Sequence, residues 1–270
     1  QIGALLTDYI LTVAVSISAG VAQIVSAYPN LDSSRVQLAV AAVILIMLLN
    51  LRGVKESGTA IAIPTFFFVA MMFLAVGIGL FRSLTGTLGV VVDPPEFHLT
   101  ETLSVITPFL LLHAFANGTT ALTGVEAISN GITAFKEPRS RNAAITLIWM
   151  SIILGSLFLS ISYLTAQIQG VYSHDETVIS QMARTVFNGR GLLYLATIGA
   201  TTVILLMAAN TAYAGFPRLS ALAAEDRFLP RQLTFRGSRL VYSNGIITLA
   251  VIASILIVVF RARGDLLIPL

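Results

Sequence analysis

Asp8, Thr12 and Ser16 stand four residues apart in a run that is otherwise almost wholly apolar. That spacing stacks side chains on one helical face, so a carboxylate and two hydroxyls share a stripe. Hydroxyls can bond back to their own helix and prove little alone. A carboxylate inside a span costs about 2.5–3.5 kcal/mol on insertion scales and is a site hypothesis by default. A second cluster lies further along. Asn117-Gly118 and Gly124 weaken a helix, each glycine costing about 1 kcal/mol relative to alanine. Thr119, Thr120 and Thr123 crowd the same turns, and Glu126 follows directly. Backbone released from a helix within a bilayer must be satisfied by protein or a wet cavity. A broken helix beside an acid is the usual pointer to a transporter's substrate or ion site. Carbonyl, hydroxyl and carboxylate oxygens together suit a small desolvated cation. The bland alternatives are glycines that let a neighbouring helix pack closely, with Glu126 paired for structure, and an Asp8 that reaches the inner interface.

Composition decides where these residues sit. The 270 residues are 56% hydrophobic and only 11% charged, with a mean hydropathy of +0.87. Several runs exceed the roughly 20 apolar residues that cross a bilayer, so the class is a polytopic, all-α membrane bundle. The absence of cysteine removes disulfides, thiolate zinc sites and thiol catalysis. A net charge of +3 sits in short loops and reads as membrane topology, not as a nucleic-acid surface. Gln1 in place of Met, and an ending at Ile268-Pro269-Leu270 inside an apolar run, are what a piece of a longer protein would show.

Punctuation divides the chain into spans at Ile2–Ala27, Val36–Leu51, Thr59–Phe81, a broken fourth span after Pro108, Ala143–Ile168, Gly191–Ala214 and Gly245–Phe260. An eighth begins near Leu266. Asp175–Asn188 reads as an amphipathic helix too short to cross, with Val178, Met182 and Val186 on one side and Ser180 and Arg184 on the other. Phe216–Ser243 reads as a polar connector. With alternate loops on opposite sides, 10 of the 16 Lys and Arg residues, Arg52 to Arg239, fall on one side and 6, including Arg82, Arg184 and Arg190, on the other. The positive-inside rule places the larger set in the cytoplasm. Asp8 is 21 residues before Pro29 and Glu126 is 18 after Pro108. At 1.5 Å per residue, antiparallel helices bring the two acids to a similar depth in the inner half.

Leu6-Thr-Asp-Tyr-Ile-Leu-Thr-Val-Ala-Val-Ser16, Asn50-Leu-Arg-Gly-Val-Lys-Glu-Ser-Gly58, Ala121-Leu-Thr-Gly-Val-Glu-Ala-Ile-Ser-Asn-Gly131, Ala209-Asn-Thr-Ala-Tyr-Ala-Gly-Phe-Pro-Arg-Leu219 and Arg239-Leu-Val-Tyr-Ser-Asn-Gly245 resemble the amino acid–polyamine–organocation transporter superfamily. They are most similar to the KimA-like branch of its KUP group, which are potassium–proton symporters. The resemblance runs along nearly the whole chain. It implies a fold of two inverted five-helix repeats, of which residues 1–270 are a partial transmembrane domain holding the third to ninth helices and the start of the tenth. The broken helix near residues 117–124 would be the sixth. Asp8, Tyr9, Thr12 and Ser16 match the third-helix cation-contact positions, and Thr123 and Glu126 those of the sixth. The first helix, most of the tenth and any cytoplasmic regulatory domain would lie outside this chain.

The resulting expectation is proton-coupled potassium uptake by a multi-pass protein of the plasma membrane. The metal ligands would be Asp8, Thr12, Ser16, Thr123 and Glu126, and Asn117, Gly118 and Gly124 would supply the backbone of the break. An amino acid permease on the same fold is the alternative, and Asp8 discriminates, because an unwound backbone alone can hold a substrate's amino and carboxyl groups. No His-Glu-x-x-His or Gly-x-Ser-x-Gly motif marks an enzyme, and His113 reads as a structural histidine. The Asn117-Gly118-Thr119 sequon falls within the predicted bilayer. No cofactor is expected beyond the transported potassium and coupled proton. The expected partners are that cation and lipid, a homodimer is compatible with the reading, and nucleic acid is not expected.

Overall fold

The computed structural model describes residues 2–53, 58–94, 107–108, 111–112, 135–173, 175–235 and 242–263. Within them the regular elements are helices: α1 Ile2–Ala27, α2 Arg35–Leu51, α3 Gly58–Leu84, α4 Arg139–Gln167, α5 Val178–Val186, α6 Leu192–Glu225 and α7 Ser243–Val259. Short 3-10 turns at Pro29–Ser34 and Arg231–Thr234 join two of the connections. Five stretches are long and apolar enough to cross a membrane, those containing α1, α2, α3, α4 and α6, and α7 is a shorter apolar helix. The broken fourth span, with Asn117, Gly118, Thr123, Gly124 and Glu126, lies outside the described residues, as does the start of the eighth.

Two helical layers meet at α6. Val13, Ile17 and Val21 of α1, Ala39 and Val43 of α2, Ala209, Ala212 and Phe216 of α6, and Leu249 and Ala253 of α7 form one buried core. Met72 and Val76 of α3, Leu164 of α4 and Met182 of α5 form a second. The α1–α6 pair is antiparallel: Ser26 lies by Tyr194, Gly20 by Leu205, and Tyr9 by Gly215. Small residues let the helices approach, as expected where packing rather than water expulsion drives association. Where α6 crosses α7, a Cβ built on Gly245 would stand 2.9 Å from Pro217 Cα and 3.2 Å from Ser220 Oγ. A backbone atom cannot step aside. Gly245→Val is therefore expected to cost about 1–3 kcal/mol by overpacking, read as a lower melting temperature of the full-length protein.

Two expectations about this architecture need correction. The sixth span does not stop at Ala214, because α6 continues through Pro217 to Glu225. Proline removes one donor, whose acceptor would be Tyr213 C=O, and Phe216, Pro217, Ser220, Ala221, Ala223 and Ala224 bury the continuation. Packing outweighs the roughly 3 kcal/mol propensity penalty. Arg218 is accordingly a helical residue and not part of a loop. The short helix α5 is buried on its polar side as well, since Ser180 and Gln181 are as fully buried as Met182.

That burial is made tolerable by a complete hydrogen-bond network. Thr177 starts α5 by accepting from Ser180 N at 3.3 Å, and its own hydroxyl donates to Gln23 Oε1 at 3.0 Å. The Ser180 hydroxyl donates to Glu176 Oε1 at 2.7 Å and lies 2.8 Å from Tyr194 Oη. Gln181 exchanges two bonds with the backbone of Val171, at 2.7 and 3.0 Å. At the far end, Arg82 donates to Thr185 C=O and Val186 C=O at 3.1 and 2.7 Å. A guanidinium on the last carbonyls of a helix is favourably placed against its dipole.

Candidate functional site

The row predicted on α1 is present and lies on the side that the described helices do not cover. The packed face of α1 runs through Val13, Ile17, Gly20 and Val21, whereas Asp8 is exposed and Thr12 and Ser16 are half-buried. In helical projection Asp8 points opposite to Ile17, at 100° per residue. Tyr9 flanks the row and is half-buried against α6.

The hydrogen bonding of these groups is informative. Several hydroxyls of the bundle bond back to their own helix: Thr7 to Gly3 C=O, Ser26 to Ala22 C=O, Thr146 to Asn142 C=O and Thr202 to Ile198 C=O. Thr12 and Ser16 do not, and among the described residues neither they nor Asp8 has a hydrogen-bond or ion-pair partner. Three oxygen-bearing side chains at consecutive helical turns are thus uncommitted. The arrangement brings Asp8, Thr12 and Ser16 together with Tyr9; Thr123 and Glu126, the other half of the expected ligand set, lie outside the described residues. Among those residues no cluster of three or more His, Cys, Asp and Glu side chains forms a metal centre. Among the described residues, this face offers one carboxylate with hydroxyl oxygens.

Several other polar residues of the spans are paired internally. Thr197 and Thr202 donate to carbonyls one turn back at 2.9 and 2.8 Å, and Thr201 bonds to Thr197 C=O. Asn50 of α2 donates to Asn210 Oδ1 of α6 at 2.6 Å, clasping two spans together. The buried hydroxyls of Ser18 and Tyr213 have no partner among the described residues. Sequence reading singled out neither. An unmade hydrogen bond in a core costs about 1–3 kcal/mol, but no feature of the residue types distinguishes them from satisfied neighbours.

At the opposite end of the bundle, a cavity of about 670 Å³ is bordered by Arg82, Asp93, Glu176, Arg184 and Arg190. Its cations are largely engaged in structure. Arg184 pairs with Glu176 at 2.8 Å and bonds to Val92 C=O and Asp93 C=O. Arg82 holds the end of α5 and Thr87 C=O. The buried Glu176–Ser180–Arg184 ladder has the same four-residue spacing as the α1 row, and that spacing was the signal by which it could have been read.

A layered helical bundle with five stretches long and apolar enough to cross a membrane is the frame of a multi-pass membrane protein. The amino acid permease family model matches residues 3–267, and the chain belongs to that family. It is similar to the potassium transporter KimA of Bacillus subtilis (strain 168), with 47% identity over 270 residues. That match covers 99% of this chain and 44% of the relative, so the chain spans less than half the length of the curated relative it matches.

Proposed function

We propose that this chain is the central membrane part of a secondary active transporter that takes up potassium with protons across the cell membrane. The observation that carries the reading is the uncommitted row on α1, Asp8 with Thr12 and Ser16, on the face the packed helices leave open. Asp8 supplies the negative charge, the two hydroxyls and Tyr9 supply neutral contacts, and Thr123 and Glu126 complete the set from the broken helix. The similarity to a potassium transporter supports the choice of ion. In this reading one or both of Asp8 and Glu126 also carry the coupled proton. Inward movement of the cation gains about 2.3 kcal/mol per charge for each 100 mV of membrane potential. The reading assigns no catalytic step to the chain.

The family description favours a second reading, transport of an amino acid. Uptake by the full-length protein in proteoliposomes separates the two. Saturable rubidium or potassium uptake, driven by an outside-acid proton gradient and unaffected by excess amino acids, is the expected result. Labelled amino acid uptake that survives excess potassium would overturn it.

A further inference from the structure

Tyr9, which flanks the α1 row, touches another helix, and it does so at a glycine. A Cβ built on Gly215 of α6 would stand 2.5 Å from Cζ and Oη of Tyr9 and 2.7 Å from Cε1. Carbon atoms settle at about 3.5–4.0 Å, so the ring lies on bare backbone that no other residue type would leave free. Gly79, where a Cβ would stand 2.7 Å from Leu164 Cδ1, meets a side-chain tip likewise, but Gly20 and Gly245 differ in kind. At Gly20 a Cβ would meet Leu205 Cβ and Thr202 C=O at an ordinary 3.6 Å, and at Gly245 it would strike the Pro217 backbone. At Gly215 the obstacle is the tip of a side chain, which can turn. A Cβ there displaces the ring by about 1 Å while the helices keep their crossing, because contact distance is restored by that much.

We propose that Gly215 is a positioning residue of the cation face, acting through Tyr9; this rests on the function proposed above. Tyr9 follows Asp8 directly and stands three residues before Thr12, its neighbour on the helix surface. Seating the ring on α6 holds the phenol at the edge of the row and fixes the side of it that the ion meets. Ion and substrate groups must be held to within about 0.5 Å for a site to work, and the displacement a Cβ forces is larger than that. α6 thereby contributes to ion affinity without itself supplying a ligand.

The test is a two-by-two comparison in the full-length protein of Gly215→Ala, Tyr9→Ala and the double variant, reading KM and Vmax for rubidium uptake together with melting temperature. Gly215→Ala is expected to raise KM about tenfold with Vmax retained, equivalent to about 1.4 kcal/mol of binding. In the Tyr9→Ala background the same substitution is expected to leave KM unchanged, because the ring it displaces is gone. An equal rise in both backgrounds, or a lowered melting temperature with KM unchanged, would show a purely structural glycine and overturn the inference. A Gly215→Ala chain that folds only when Tyr9→Ala is present supports the contact, and one that folds in neither background overturns it. Failure of the proposed function shows instead in the unvaried parent, as absence of rubidium uptake, and takes this inference with it.

Discussion

Full-length protein carrying Asp8→Asn is expected to fold as the parent does and to lose about 100-fold in potassium affinity, corresponding to roughly 2.7 kcal/mol. The two halves of that expectation have separate physical grounds. Asp8 has no hydrogen bond or ion pair among the described residues and is exposed on α1. Replacing its carboxylate by an isosteric amide therefore breaks no protein contact, and stability should move by no more than about 0.5 kcal/mol. A cation held near 4 Å from a carboxylate gains about 4 kcal/mol at an effective dielectric constant of 20. Part of that is offset by the amide's own dipole, and partial solvation lowers it further. Rubidium uptake measured against concentration, beside a melting curve, checks both halves. Unchanged KM would place Asp8 outside the ion's path.

The second large effect lies at the other end of the bundle. Glu176 and Arg184 form an ion pair at 2.8 Å with side chains only 10% and 13% exposed, and the same Glu176 oxygen also accepts from Ser180. Removing one partner strands a charge where water reaches it poorly, at a cost of about 3–5 kcal/mol. Arg184→Met is expected to lose that much, and also the bonds that tie α5 to Val92 and Asp93. Glu176→Gln added to Arg184→Met removes the stranded charge, and most of the loss should return. Thermal or denaturant unfolding of the two variants decides it. Equal destabilisation by the single and the double variant would mean that the pair contributes through packing alone.

How much of this could be read in advance depended on what kind of force set each feature. α1 begins and ends where its apolar run does, at Ile2 and Ala27, and α2 and α7 fall within two residues of their expected bounds. In those helices, span length and turn residues act alone. The end of α6 is not legible, because Pro217 and the charges after it suggest a loop, whereas burial of Ala221, Ala223 and Ala224 against neighbouring elements is a tertiary effect with no local mark. The face of α1 that carries Asp8, Thr12 and Ser16 followed from periodicity. That its hydroxyls do not bond back to the helix, unlike Thr7 and Ser26, is a rotamer choice that the sequence does not encode. The seat of Tyr9 on Gly215 joins residues about 200 positions apart, and spacing rules reach only a few turns.

The claim beneath the rest is that a monovalent cation sits against the open row of α1. Calorimetric titration of potassium into purified full-length protein, beside the Asp8→Asn variant, tests it without any transport step. The account predicts saturable binding by the parent and binding about 100-fold weaker in the variant, each tenfold being 1.4 kcal/mol. Equal binding by the two proteins would contradict it.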